Sequence, residues 1–197
     1  TCIRRSGFKV LVIGNNKSEL VIEAYDAKKH SWILVGNLPS SFVIKHDEMV
    51  ECNGLFYSLL LTPKAMLIIG GGFTEEEEEE EEEEEHEKEG KVIHWRIQAL
   101  PDTDNITNPR LLSCRNALFM VCYNSSQDHE CILMWRFESC SEVWIKMDPM
   151  PDVVSEDMKA ISLSNWFDCV GVGKFICFRA LSTQKVLTYN VCDGTWR

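Results

Sequence analysis

The sequence has no C-x-x-C pair, no cluster of Lys and Arg, and, outside one glutamate run, no segment that keeps a helical period for three turns. Each absence excludes something. Structural zinc sites draw on closely spaced ligand pairs, so nine cysteines at 2, 52, 114, 122, 131, 140, 169, 177 and 192 do not form a zinc framework. Without a basic footprint, DNA or RNA is not an expected partner. Without helical periodicity, the class is all-β. H-E-x-x-H and G-x-S-x-G are missing too, and His30, His46, His86, His94 and His129 are scattered. The chain is therefore read as no enzyme, with no catalytic, cofactor or metal residue assigned. No charged-then-apolar leader follows Thr1, so no signal peptide is expected.

What is present is a folding composition of 197 residues, 45% hydrophobic and 10% aromatic. The net charge of -11 has one origin. Residues 75–89, containing Glu75, Glu80 and Glu85 in an unbroken run of 11 glutamates, hold 13 of the 31 acids and one base. The remaining 18 acids and 19 bases nearly cancel. Like charges in succession repel, so residues 73–91 are expected to form a solvated, disordered acidic insertion. Most cysteines have apolar neighbours, as in Leu118 to Cys122, and read as buried, reduced thiols. That places the protein in cytoplasm or nucleus. Gly54 to Phe73 is long and apolar enough to consider as a membrane span. Thr62-Pro63-Lys64-Ala65 interrupts it, which suits two short strands and no membrane.

Short apolar runs bounded by Asn, Gly, Ser, Asp and Pro recur throughout, at 8–13, 20–25, 55–61, 66–69, 118–123, 132–137, 175–178 and 186–189. One unit repeats within them: a strand ending in an aromatic, then six residues, then tryptophan. It occurs as Tyr25/Trp32, Phe137/Trp144 and Tyr189/Trp196. In an antiparallel hairpin that spacing sets the two rings directly opposite each other on one face of the sheet. The first two copies continue to Leu38-Pro39 and Met150-Pro151. Between them, Val92 to Ile97 aligns with Ile132 to Phe137 through Trp95-Arg96 and Trp135-Arg136, and Leu100-Pro101 follows. A degenerate fourth copy is expected there. Each unit opens with a turn feeding an apolar strand, and Gly70-Gly71 ends a strand in the second. Four strands at a period of about 40 to 55 residues suit a propeller blade.

The double glycine, the Tyr-x6-Trp hairpin and the Leu-Pro exit resemble the kelch repeat. Cys52 to Tyr57, Ile132 to Phe137, Lys146 to Pro151 and Val172 to Cys177 are similar to segments of plant F-box/kelch-repeat proteins, over almost all of the chain except 73–91. The resemblance implies a kelch-type β-propeller of about four blades of four antiparallel strands, incomplete or part of a larger ring. The blades would span about 8–39, 49–101, 110–151 and 168–197. It also implies substrate recognition for an SCF-type ubiquitin ligase. Contact with a Skp-type adaptor and cullin would run through an F-box that this chain does not include. Alternatives are a stand-alone acidic kelch scaffold binding basic partners and, more remotely, a copper-dependent kelch-type oxidase. No cofactor is assigned.

Binding to a protein substrate would fall to the loops, which vary without disturbing a sheet core. The candidates are Asn15, Lys17, Ser40, Lys45, His46, Asp102, Asp104, Ser125, Gln127, Asp128, Ser182 and Gln184. The recurring aromatics are read as packing, and Gly70-Gly71-Gly72 and Gly171-Val172-Gly173 as backbone bends at strand ends. The glutamate run is expected between the second and third strands of its unit.

Overall fold

The computed structural model describes residues 9–16, 19–26, 30–39, 43–44, 49–61, 66–72, 96–100, 106–124, 131–151, 154, 167–180 and 186–197. Its described elements are sixteen strands in four antiparallel sheets, so the fold is all-β. The chain divides into two compact units, Thr1–Ala99 and Leu100–Arg197.

The first unit holds two sheets. Sheet 1 is β1 (Lys9–Asn16), β2 (Glu19–Asp26) and β3 (Ser31–Pro39), paired in that order. Sheet 2 joins β4 (Val43–Ile44) and β5 (Val50–Cys52) along one edge of β6 (Leu55–Leu61), followed by β7 (Met66–Gly72) and β8 (Arg96–Ala99). The long apolar stretch at 54–73 is thus a hairpin, with Leu55 opposite Gly72 and Leu61 opposite Met66.

The second unit holds two four-stranded meanders. Sheet 3 is β9 (Ile106–Cys114), β10 (Ala117–Asn124), β11 (Cys131–Glu138) and β12 (Val143–Lys146). Sheet 4 is β13 (Phe167–Val172), β14 (Phe175–Ala180), β15 (Val186–Asn190) and β16 (Thr195–Trp196). β10 is apolar at nearly every position and buried from Leu118 to Tyr123, the signature of a strand covered on two faces.

Among the strands outside the apolar runs, β9 and β13 have a visible cause. β9 contains Asn108-Pro109, which reads as a turn. Here it forms a bulge: Asn108 takes φ 50°, and the register shifts by one residue opposite Cys122. A bulge tolerates proline because the ladder is already interrupted there. In β13, Asp168 and Gly171 dilute the apolar signal.

The turns explain the tight links. Asn53 and Gly54 take φ 54° and 78°, and Arg115 and Asn116 take 50° and 59°, so each pair forms the two-residue I′ turn that matches the twist of its strands. Gly173 takes φ 59° at the first central position, as a II′ turn requires.

A single core joins sheets 3 and 4. Phe119, Val121, Ile132 and Met134 from sheet 3 meet Phe167, Ile176, Phe178 and Tyr189 from sheet 4. Burying each such side chain is worth about 1.5–3 kcal/mol relative to exposure. Two glycines have roles other than bending. A Cβ on Gly171 would collide with the carbonyl oxygen of Ser113 on β9, so this glycine lets the two sheets approach. A Cβ on Gly70 would stand 2.6 Å from Cε1 of Tyr57, the residue opposite it, so this glycine accommodates an aromatic ring.

Candidate partner-binding surface

The aromatic-to-tryptophan spacing produces the expected geometry. Tyr25 faces Trp32, Phe137 faces Trp144 and Tyr189 faces Trp196 in the registers of β2–β3, β11–β12 and β15–β16. Their ring centroids lie 5.3, 5.1 and 5.0 Å apart at interplanar angles of 51°, 48° and 55°. The backbone repeats as well. Five residues after each aromatic stands a residue of positive φ: His30 at 50°, Glu142 at 54° and Gly194 at 70°. These are three copies of one hairpin. They differ in their surroundings. Trp32 is 53% exposed, whereas Trp196 is half-buried and stacks on Phe178 at 5.5 Å.

The fourth copy sits differently from the alignment of Trp95-Arg96 with Trp135-Arg136. β11 is the third strand of sheet 3, but β8 closes sheet 2 after β7, with Gly70 opposite Arg96 and Ile69 opposite Ile97. β8 therefore takes the place of β12, and β7 that of β11. This moves the acidic stretch: residues 73–95 connect the last two strands of their sheet, the equivalent of the Tyr25/Trp32 hairpin tip, rather than the second and third. Tertiary pairing decides the matter, because Trp-Arg is too short a match to fix which strand carries it.

Antiparallel order then divides the connections of each sheet between its two ends. The I′ and II′ turns and the aromatic hairpin tips share one end. The links β1–β2, β10–β11 and β14–β15, with the exits β3–β4 and β8–β9, share the other. Among the sequence-derived partner residues, Asn15 is on β1, paired with Leu20. Lys17, Ser40, Lys45, His46, Asp102, Asp104, Ser125, Gln127, Asp128, Ser182 and Gln184 lie outside the described residues, as do Trp95, Glu75, Glu80 and Glu85.

Polar contacts stitch the seam between sheets 3 and 4. Arg110 donates to Asp168 through Nη2 at 3.3 Å, with the arginine largely buried and the aspartate exposed. Asn108 Nδ2 donates to the Phe167 carbonyl at 3.5 Å. The Cys114 thiol donates toward the carbonyls of Gly173 and Phe175, each at 3.5 Å. Burial, and then the neighbouring Cys192, push this thiol up from its ordinary value. On the tip of β15–β16, the Asp193 carboxyl is held below its ordinary value chiefly by the Thr195 hydroxyl, which donates to Oδ1 at 2.6 Å. The face of sheet 4 turned away from the core presents Val170, Val172 and Val186, all more than half exposed.

Among the described residues, no two of the eight cysteines are joined in a disulfide. Three are buried, three are partly exposed, and Cys140 and Cys192 are exposed, so fewer of them lie in the core than the reading of most as buried expected. Among the described residues, no three His, Cys, Asp or Glu side chains come together as a metal site. No described helix is long and apolar enough to cross a membrane.

No family model matches the chain. It is similar to Protein UNUSUAL FLORAL ORGANS of Arabidopsis thaliana, with 21% identity over 169 residues. The similarity covers 84% of this chain and 34% of that protein, so the chain spans about a third of the relative's length.

Proposed function

We propose that the chain is the substrate-binding β-sheet region of a plant F-box protein, with its four sheets as kelch-like blades of a propeller and no catalytic role of its own. The observation that carries this reading is the aromatic hairpin, repeated in register, ring spacing and positive-φ position on three sheets. The similarity to an Arabidopsis protein across most of the chain supports the plant F-box assignment. In this reading ubiquitin transfer takes place on a separate enzyme, and the chain contributes shape and polar complementarity from loops, acting in cytoplasm or nucleus.

The test uses the complete coding sequence. The full-length protein should co-purify with a Skp-type adaptor and cullin, and deleting the segment upstream of residue 1 should abolish that association while the 197-residue chain retains substrate capture. A full-length protein that binds no such adaptor removes the reading.

The acidic stretch favours a second role on the same scaffold, docking of a basic segment of a partner. Capture that is lost on deleting 75–89 and weakened by salt supports it; capture unaffected by either change ends it.

A further inference from the structure

The strand that carries the hairpin tryptophan stands at a margin of its sheet in all three copies: β3 in sheet 1, β12 in sheet 3 and β16 in sheet 4. A sheet margin offers backbone donors and acceptors to any added strand, and proteins blunt such margins with short strands and charged side chains. Two of the three copies follow that rule. β12 has four residues and carries Lys146 just after Glu142, and β16 has two residues before Arg197. β3 does not follow it. It runs for nine residues without a charge, and Trp32, Ile33 and Leu34 are 53%, 39% and 58% exposed in succession. Among the described residues, no strand pairs with it on the side away from β2.

The order of these three side chains selects the occupant. Alternation puts Trp32 and Leu34 on one face of the strand and Ile33 on the other. Two copies of β3 can pair antiparallel about a two-fold axis at Ile33. Ile33 then lies opposite the partner's Ile33, and Trp32 opposite the partner's Leu34. Symmetry repeats the second pair, so each indole meets a leucine on a shared face. No charge of the strand meets its like. Glu23 and Asp26 on β2 stand opposite Leu34 and Ser31, one strand further from the axis. Three strand spacings, at least about 14 Å, then separate them from their counterparts, beyond a screening length of about 8 Å at physiological salt. The register shift between Leu34 and Gly36 ends the regular stretch, so pairing is confined to its first half.

We propose that β3 is a self-association edge, on which a second copy of this chain adds its own β3 antiparallel about Ile33. The two sheets then become one. The contact is small, so the association is weak and reversible. It is independent of the ligase reading, since it needs no molecule but the chain itself.

The experiment is sedimentation velocity of the 197-residue chain under reducing conditions, from about 1 µM to about 200 µM, the range in which weak pairing is visible. The parent should shift from monomer to dimer across it. Ile33→Lys sets like charges face to face on the axis and should weaken the dimer at least about ten-fold. Should that chain lose its melting transition, Trp32→Glu, at a more exposed position, carries the same test. Adding Leu34→Lys to Trp32→Glu places opposite charges across the axis twice and should restore pairing. Val143→Lys, on the margin of sheet 3, should change nothing. Added salt should tighten the parent dimer, because its contact is uncharged while the acidic stretches of the two copies repel. A parent chain that stays monomeric at the highest concentration overturns the proposal, even if an added peptide binds the edge. So does a folded Ile33→Lys chain that pairs like the parent, a folded double variant that regains no pairing, or a dimer that salt dissolves.

Discussion

Sheets 3 and 4 have the same strand order and the same aromatic hairpin, yet different environments. β10 of sheet 3 is buried from Leu118 to Tyr123. In sheet 4 the alternation is clean, with Ile176 and Phe178 on the core face and Val170, Val172 and Val186 outward. The difference teaches that one hairpin design serves a sheet enclosed on two sides and a sheet enclosed on one. The local motif sets register, and the neighbours set burial.

The strongest test of that contrast is Phe178→Ala against Val170→Ala. Removing the core ring should cost about 3–5 kcal/mol in denaturant unfolding, while the outward valine should stay within about 0.5 kcal/mol. A comparable loss at Val170 would mean that the outward face is covered. Next comes Gly171→Val, which drives a side chain into the Ser113 carbonyl and should cost about 1–3 kcal/mol. Gly173→Asn meets open space but a positive φ that strains a side chain, so it should lower stability by about 1 kcal/mol without any clash.

The hairpins themselves were legible in the sequence because six intervening residues allow only one symmetric register across the tip. The pairing of Tyr25 with Trp32 follows from numbers alone. β9 was not legible, since Asn108-Pro109 signals a turn unless a partner strand absorbs it as a bulge. Gly70 and Gly171 were identified as special, but their reason was not, because the crowding atoms belong to Tyr57 and Ser113, which come near only after pairing. The candidate partner loops were chosen by chain order. Of these candidates only Asn15, on β1, lies among the described residues.

Smaller effects sharpen the equivalence of the copies. Double-mutant cycles on Tyr25/Trp32, Phe137/Trp144 and Tyr189/Trp196 should each return a ring coupling of about 0.5–1.5 kcal/mol, alike across all three although Trp32 is far more exposed. One hairpin without coupling would break the set. Tyr189 adds a pH signature. Burial foremost raises its phenol above the ordinary value, so the unfolded chain ionises first. Its contribution to stability is complete below the ordinary tyrosine range and is lost as the solution rises through it, above about pH 10. Tyr189→Phe should flatten that alkaline fall in melting temperature. Smallest of all, the Arg110–Asp168 coupling should stay below about 1 kcal/mol and fade with added salt, since one partner is solvent-facing.

The bulge at Asn108-Pro109 has a consequence for how this molecule meets others. β9 is the margin of its sheet, where it already meets β13, and an extended peptide added there would find a kinked rim with one amide hydrogen missing. Growth of the sheet by an added ribbon is obstructed at that rim. That obstruction guards against stacking into fibres from that side.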